Sequence, residues 1–159
     1  MKKLIHFVLL FLFIGEWAYS QCISNNEFDT YTAQNSGFIE EVSNIFSLGD
    51  YMTIDGILAN EYVFTANHSN SGVELNDYIV LTNSSNAVLQ QGVSPLAHTF
   101  TAGQIPGGII RLHIYLNATC SVSDINLNVT LLNATVEPTT CQLPQNPTVS
   151  YRSNTRIDF

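Results

Sequence analysis

After Lys3 the chain of 159 residues contains no lysine, and from Gln21 to Glu137 its only fixed positive charge is Arg111. A phosphate backbone needs a cluster of Lys or Arg to release its counterions, and an anionic membrane surface needs a similar patch. This scarcity argues against nucleic acid and membrane-surface partners. Catalytic signatures are missing as well: there is no G-x-S-x-G, no H-E-x-x-H, no P-loop and no C-x-x-C. The later histidines, His68, His98 and His113, fall in different predicted elements without ligand spacing. No catalytic residue is therefore assigned, and the reading is not an enzyme. Beyond the first twenty residues no apolar run is long enough to span a bilayer. No segment there has a convincing amphipathic helical period, and there is no internal repeat or low-complexity block.

The first twenty residues stand apart. Lys2 and Lys3 precede an apolar run from Leu4 to Ile14, and Ala18-Tyr19-Ser20 places small residues at the two positions a signal peptidase reads. This anatomy predicts an export signal at 1–20, cleavage after Ser20, and a secreted or cell-surface product beginning Gln21-Cys22. Two positive charges and one negative leave with the signal, so the formal charge moves from -8 to -9. The remainder is long enough for one hydrophobic core, not for two full domains.

What is abundant is β-branched and aromatic residues, with Asn, Ser and Thr at the polar positions, a composition that suits strands. In INLNVTL, Ile125, Leu127, Val129 and Leu131 alternate with polar residues, and in RLHIYLN, Leu112, Ile114 and Leu116 do the same. Further strands are predicted at Phe38 to Phe46, Asp50 to Ile54, Glu61 to Ala66, Asp77 to Thr82, Ala87 to Gln91 and Leu96 to Thr101. Turn chemistry such as Asp55-Gly56, Ser84-Ser85-Asn86 and Pro106-Gly107-Gly108 separates them. The Phe38 to Phe46 stretch also suits a short helical stripe through Ile39, Val42, Ile45 and Phe46. Seven to nine short strands imply an all-β, antiparallel, jelly-roll-like sandwich over 21–137.

Three cysteines in an exported chain imply one disulfide and one cysteine left over. A strand from Ile125 to Val136 would carry the chain roughly 35 Å from Cys120, and the five residues to Cys141 could return only about half of that. Cys22 with Cys120 is therefore the favoured pair, with Cys22 to Cys141 as the alternative. Alternation also places Arg111, His113 and Tyr115 on the face of their strand away from the core, a candidate ligand patch around the lone cation. Asp50, Asp55, Asp77 and Asp124, with Glu74, fall at predicted loops or strand ends and are weak candidates for calcium, which takes such oxygen ligands. No D-x-D-x-D-G run is present, and no other cofactor is indicated. N-x-S/T sequons occur at Asn67, Asn83, Asn117, Asn128 and Asn133, which become glycan acceptors only in a eukaryotic secretory pathway.

The runs GDYMTIDGILANEYVFT (Gly49 to Thr65), DYIVLTNSSNAVLQQGVSPL (Asp77 to Leu96) and GGIIRLHIYLNATC (Gly107 to Cys120) resemble the N-terminal β-sandwich of large secreted proteins of Bacteroidota. That domain is similar to the pre-peptidase C-terminal type, although Asn60 stands where the family usually has glycine and Asn83 where an Asp is common. The tail CQLPQNPTVSYRSNTRIDF resembles the start of a fibronectin type III domain, so 138–159 is read as a linker and the opening of a second, truncated domain. The resemblance implies an exported, non-catalytic accessory or adhesion module of a larger surface protein, joined to downstream domains and binding a glycan or protein. The alternative it implies is an ancillary domain of a secreted peptidase or glycan hydrolase.

Overall fold

The computed structural model describes residues 22–68 and 77–138. The stretch read as an export signal, Glu74, the tail from residue 139 read as the opening of a fibronectin type III domain, and Cys141 all lie outside the described residues. Among those described are nine strands: β1 (Glu27–Thr32), β2 (Glu40–Ser47), β3 (Tyr51–Asp55), β4 (Glu61–His68), β5 (Tyr78–Asn83), β6 (Val88–Val93), β7 (Leu96–Thr99), β8 (Ile110–Tyr115) and β9 (Asn126–Asn133). One 3₁₀ turn, Pro106–Gly108, precedes β8. No helix among these residues is long and apolar enough to cross a membrane.

The strands form a five-stranded sheet, β1-β3-β8-β5-β6, and a four-stranded sheet, β2-β9-β4-β7. The chain changes sheet at almost every connection, and the order β3-β8-β5-β6 facing β2-β9-β4-β7 is that of a jelly roll. All pairings are antiparallel except β1 with β3, which adds a parallel edge strand outside the eight-stranded core. Alternation explains the packing: Leu112 and Ile114 of β8 and Leu127, Val129 and Leu131 of β9 turn into one shared core. Aromatic residues fill its centre. Phe64 and Phe100 meet edge to face with ring centroids 6.2 Å apart, and Tyr62 lies 5.8 Å from Phe100.

The β2 stretch is a strand, not a helix. Its apolar spacing looked helical because register shifts between Glu41 and Ser43 and between Ser43 and Phe46 interrupt the period of two. Strand β1 was absent from the sequence prediction for a similar reason. A register shift between Glu27 and Asp29 leaves its two inward aromatic residues, Phe28 and Tyr31, three positions apart.

The segment joining β1 to β2 is fixed by polar side chains that the core buries. The Glu40 carboxylate, 7% exposed, accepts the Gln34 backbone N–H at 2.8 Å, the Tyr31 hydroxyl at 3.1 Å and the Ser36 N–H at 3.4 Å. Burial, reinforced by that carboxylate, pushes the Tyr31 phenol up to about 12. Asn35, in a left-handed conformation, donates to the carbonyls of Ala33 and Gly56 and accepts from the Tyr62 hydroxyl and, at 3.0 Å, from the Asn133 amide. Tyr62 Oη in turn accepts the Leu58 N–H at 2.9 Å. Two loops and the end of β9 thus meet on one phenol. Tyr62→Phe keeps the ring and deletes the hub, leaving the Leu58 N–H and part of the Asn35 and Asn133 amides unsatisfied. The expected cost is about 1–3 kcal/mol in urea unfolding, with little change in m-value.

Candidate functional site

The row proposed from alternation does lie on the β8 face away from the main core, but it is not open. His113 is fully buried, Tyr115 is 5% exposed, and only Arg111 retains partial exposure. The cover is the segment 22–26, which runs from Cys22 to the start of β1. Cys22 is bonded to Cys120 across a sequence separation of 98, with Cα atoms 5.3 Å apart. It packs with Val80 and Tyr115 as a small second cluster on the outer face of the five-stranded sheet. Further along, the Ser24 N–H donates to His113 Nδ1 at 3.1 Å. The Tyr51 N–H then donates to the Asn26 carbonyl at 2.9 Å, and the Asn26 amide donates to Asp50 Oδ1 at 2.6 Å. The open ligand patch Arg111, His113, Tyr115 is therefore corrected to a buried layer beneath an N-terminal strap.

Each member of the row is spent internally. Arg111 stacks over the Tyr51 ring, 4.9 Å from its centroid, and donates through Nη1 to Asn86 Oδ1 at 2.6 Å. Asn86 adopts a left-handed conformation in the turn between β5 and β6. The single cation of the described residues thus pins a hairpin to the face of β8. Because Nδ1 of His113 accepts the Ser24 N–H, its proton sits on Nε2, which lies 3.2 Å from Thr82 Oγ1 and donates to it. Burial, helped by the nearby Arg111 charge, lowers the His113 pKa from 6.5 to about 4. The imidazole is neutral and enclosed, which makes it a packing group and not a proton shuttle.

His98 sits on the other sheet, against Phe100 with ring centroids 4.7 Å apart; burial lowers its pKa too, and its Nε2 has no hydrogen-bond partner among the described residues. The His68 side chain lies outside the described residues. The four aspartates are dispersed. Asp50 is engaged with Asn26 and Asp55 ends β3 at the opposite end of the sandwich. Asp77 is fully buried before β5, and Asp124 is exposed before β9. Among the described residues no three His, Cys, Asp or Glu side chains come together around a point that could hold a metal. The weak calcium candidates Asp50, Asp55, Asp77 and Asp124 therefore stand at separate places in the described structure, and Glu74 lies outside it. Of the sequons, Asn133 is 1% exposed and committed to the Tyr62 network, whereas Asn67 and Asn117 are exposed.

The surface that sequence reasoning missed is at the end of the sandwich where the chain passes Pro138. Phe38 is 52% exposed, Ile39 72% and Leu58 47%. All three belong to loops held by the Asn35–Tyr62–Asn133 network. Residues 136–138 run beside them: a Cβ on Gly37 would lie 2.4 Å from the Val136 carbonyl oxygen and 2.8 Å from Pro138 N, and φ of Gly37 is +75°. Only glycine fits there. No period in the sequence distinguishes these apolar residues from inward ones; only the Gly37 between Asn35 and Phe38 hinted at a close backbone approach.

Two measurements test the strap. Cys22→Ser removes the tether that closes the long loop, and chain-entropy arguments set the loss at about 2–5 kcal/mol of unfolding free energy. His113 binds a proton more readily unfolded than folded, so its contribution is complete above pH 6.5 and falls away as pH drops toward its folded value of about 4. Denaturant titrations between pH 7 and 4 are expected to show the wild type losing up to about 3 kcal/mol more than His113→Gln across that window.

No protein-family model matches the chain, and no curated protein matches it.

Proposed function

We propose that the chain is an exported, non-catalytic β-sandwich module that works in series with other units of a surface protein, as an accessory or adhesion element. The observation that carries this reading is where the described chain enters and leaves the jelly roll. Cys22 is fastened beside Cys120, at the end of the sandwich where β8 finishes. Pro138 lies beside Gly37, at the end where β8 begins and β9 finishes. Connections at opposite poles let a module transmit a fixed distance along a polypeptide, and both poles here are braced, one covalently and the other by buried hydrogen bonds. Support for the non-catalytic part comes from the chemistry: Arg111 and His113 are consumed by packing, and His98 stands alone.

Ligand contact, in this reading, is made with a protein surface. A glycan platform would offer exposed aromatic rings for sugar stacking, and Phe38 is the single exposed aromatic residue among the described residues. Ile39, next to it in the chain, and Leu58, on the connection between β3 and β4, are exposed aliphatic residues, a mixture suited to a protein interface.

The test is an assay of the purified full chain, signal removed, against broad peptidase and glycosidase substrate panels, together with a glycan array. The expected result is no turnover and no array signal above a scrambled-surface control. Turnover that tracks the protein through two orthogonal purification steps would refute the reading. A catalytic domain encoded in frame beyond residue 159 would favour the hydrolase-associated alternative.

A further inference from the structure

We propose that the Pro138 end of the sandwich is the docking surface for the chain's own residues 139–159, so that the module and its continuation form a fixed joint. This rests on the series reading above and names the partner of its distal pole.

Three observations converge on that occupant. Position is the first. Residues 136–138 pass against Gly37, so the segment beginning at residue 139 starts next to Phe38 and Ile39, and Leu58 is joined to the same loop through Tyr62 Oη and Asn35. From Pro138 to Val149 is eleven residues, a contour of roughly 35 Å, so the tail spans that end of the sandwich without strain. Charge is the second. Residues 22–138 hold eleven carboxylates against Arg111 alone, whereas 139–159 carry Arg152 and Arg156 against Asp158. Around the Pro138 end, Glu41, Glu61 and Glu137 are exposed, and Arg111 is already engaged by Tyr51 and Asn86 on the outer face of the other sheet. The cations that best complement this acidic rim within the chain are those of the tail. Hydrophobic content is the third. The tail supplies Val149, Tyr151, Ile157 and Phe159 at alternating spacing, and the docking face presents an aromatic and two aliphatic side chains on loops already ordered by the Tyr62 network. A preordered face loses little entropy on binding, and tethering raises the effective concentration of the tail far above that of a free competitor. A second copy offers the same net negative charge to the same rim and is disfavoured.

The experiment uses the full chain with Tyr151→p-benzoyl-phenylalanine, irradiated and digested without reduction. Expected are intramolecular cross-links from position 151 to the peptides containing residues 37–41 or 57–61. Their yield should fall about tenfold in Phe38→Ser/Ile39→Ser, matching the loss of one buried apolar side chain or more. Both substituted positions are exposed, so the circular dichroism spectrum and the Cys22–Cys120 peptide should be unchanged; Leu58→Ser provides an independent variant should the pair perturb β2. Cross-links to a second copy, to the Cys120 end or scattered over both sheets would overturn the proposal, as would yields indifferent to both variants. Turnover in the substrate panel by the same preparation, with the cross-link pattern intact, would sink the non-catalytic reading alone. Scattered cross-links without turnover would sink the docking alone.

Discussion

The covalent bond between Cys22 and Cys120 is the constraint on which the layering of this molecule depends. Ordering the backbone of the segment 22–26 costs on the order of 1–2 kcal/mol per residue. Against this stand a few hydrogen bonds worth roughly 1 kcal/mol each and the burial of little more than the Cys22 side chain beside Val80 and Tyr115. Those terms barely balance. With the disulfide in place, about 2–5 kcal/mol of that entropic cost is already removed from the unfolded chain, and the strap docks. Its docking then decides the chemistry beneath it: His113 loses water, keeps its proton on Nε2 and gives Nδ1 to the Ser24 N–H. A face that would be wet in a bare sandwich becomes a third layer.

The opposite pole reaches rigidity by other means. There the polar groups of Glu40, Asn35, Tyr62 and Asn133 are paired with backbone groups of two connections, β1–β2 and β3–β4, and with each other. Such networks are stabilising when fully satisfied and costly when one member is lost. They also fix where Phe38, Ile39 and Leu58 stand. An apolar patch on a mobile loop would collapse onto its own core; one carried on loops held by a carboxylate and a phenol stays outward. The two poles therefore differ in kind, with a tether that covers one sheet and a hydrogen-bonded frame that presents side chains.

Much of the sandwich was legible because alternation is a local property. Leu127, Val129 and Leu131, or Leu112 and Ile114, announce their face regardless of what lies elsewhere in the chain. Where a bulge intervened, as at Phe28 or between Ser43 and Phe46, the period broke and the strand was missed or looked helical. The face of Arg111, His113 and Tyr115 was also read correctly, yet its exposure was not, since alternation tells which side of a sheet a residue occupies and nothing about what covers that side. A clue did exist. Pairing Cys22 with Cys120 places residue 22 at the end of β8, and the residues between it and the first strand must then travel across that sheet. The polar network gave no such clue: Asn35 and Asn133 are 98 positions apart, and nothing in their neighbours marks them for each other.

The commitment of Arg111 to Tyr51 and Asn86 bears on function as well as stability. An acidic domain with one cation could have aimed it outward as a specificity determinant; here it stabilises a hairpin, and the remaining accessible surface is carboxylates, amides, hydroxyls and a few apolar side chains. Negative charge spread over a surface repels other acidic partners and weakens nonspecific association. Attraction is then confined to places where apolar side chains stand out together, and to partners that bring positive charge. Exposed apolar side chains stand at both poles, Phe38, Ile39 and Leu58 at one and Ile45, Val122 and Ile125 toward the other. Under the docking proposed above it is the Pro138 pole, with Glu41, Glu61 and Glu137 exposed, that receives Arg152 and Arg156.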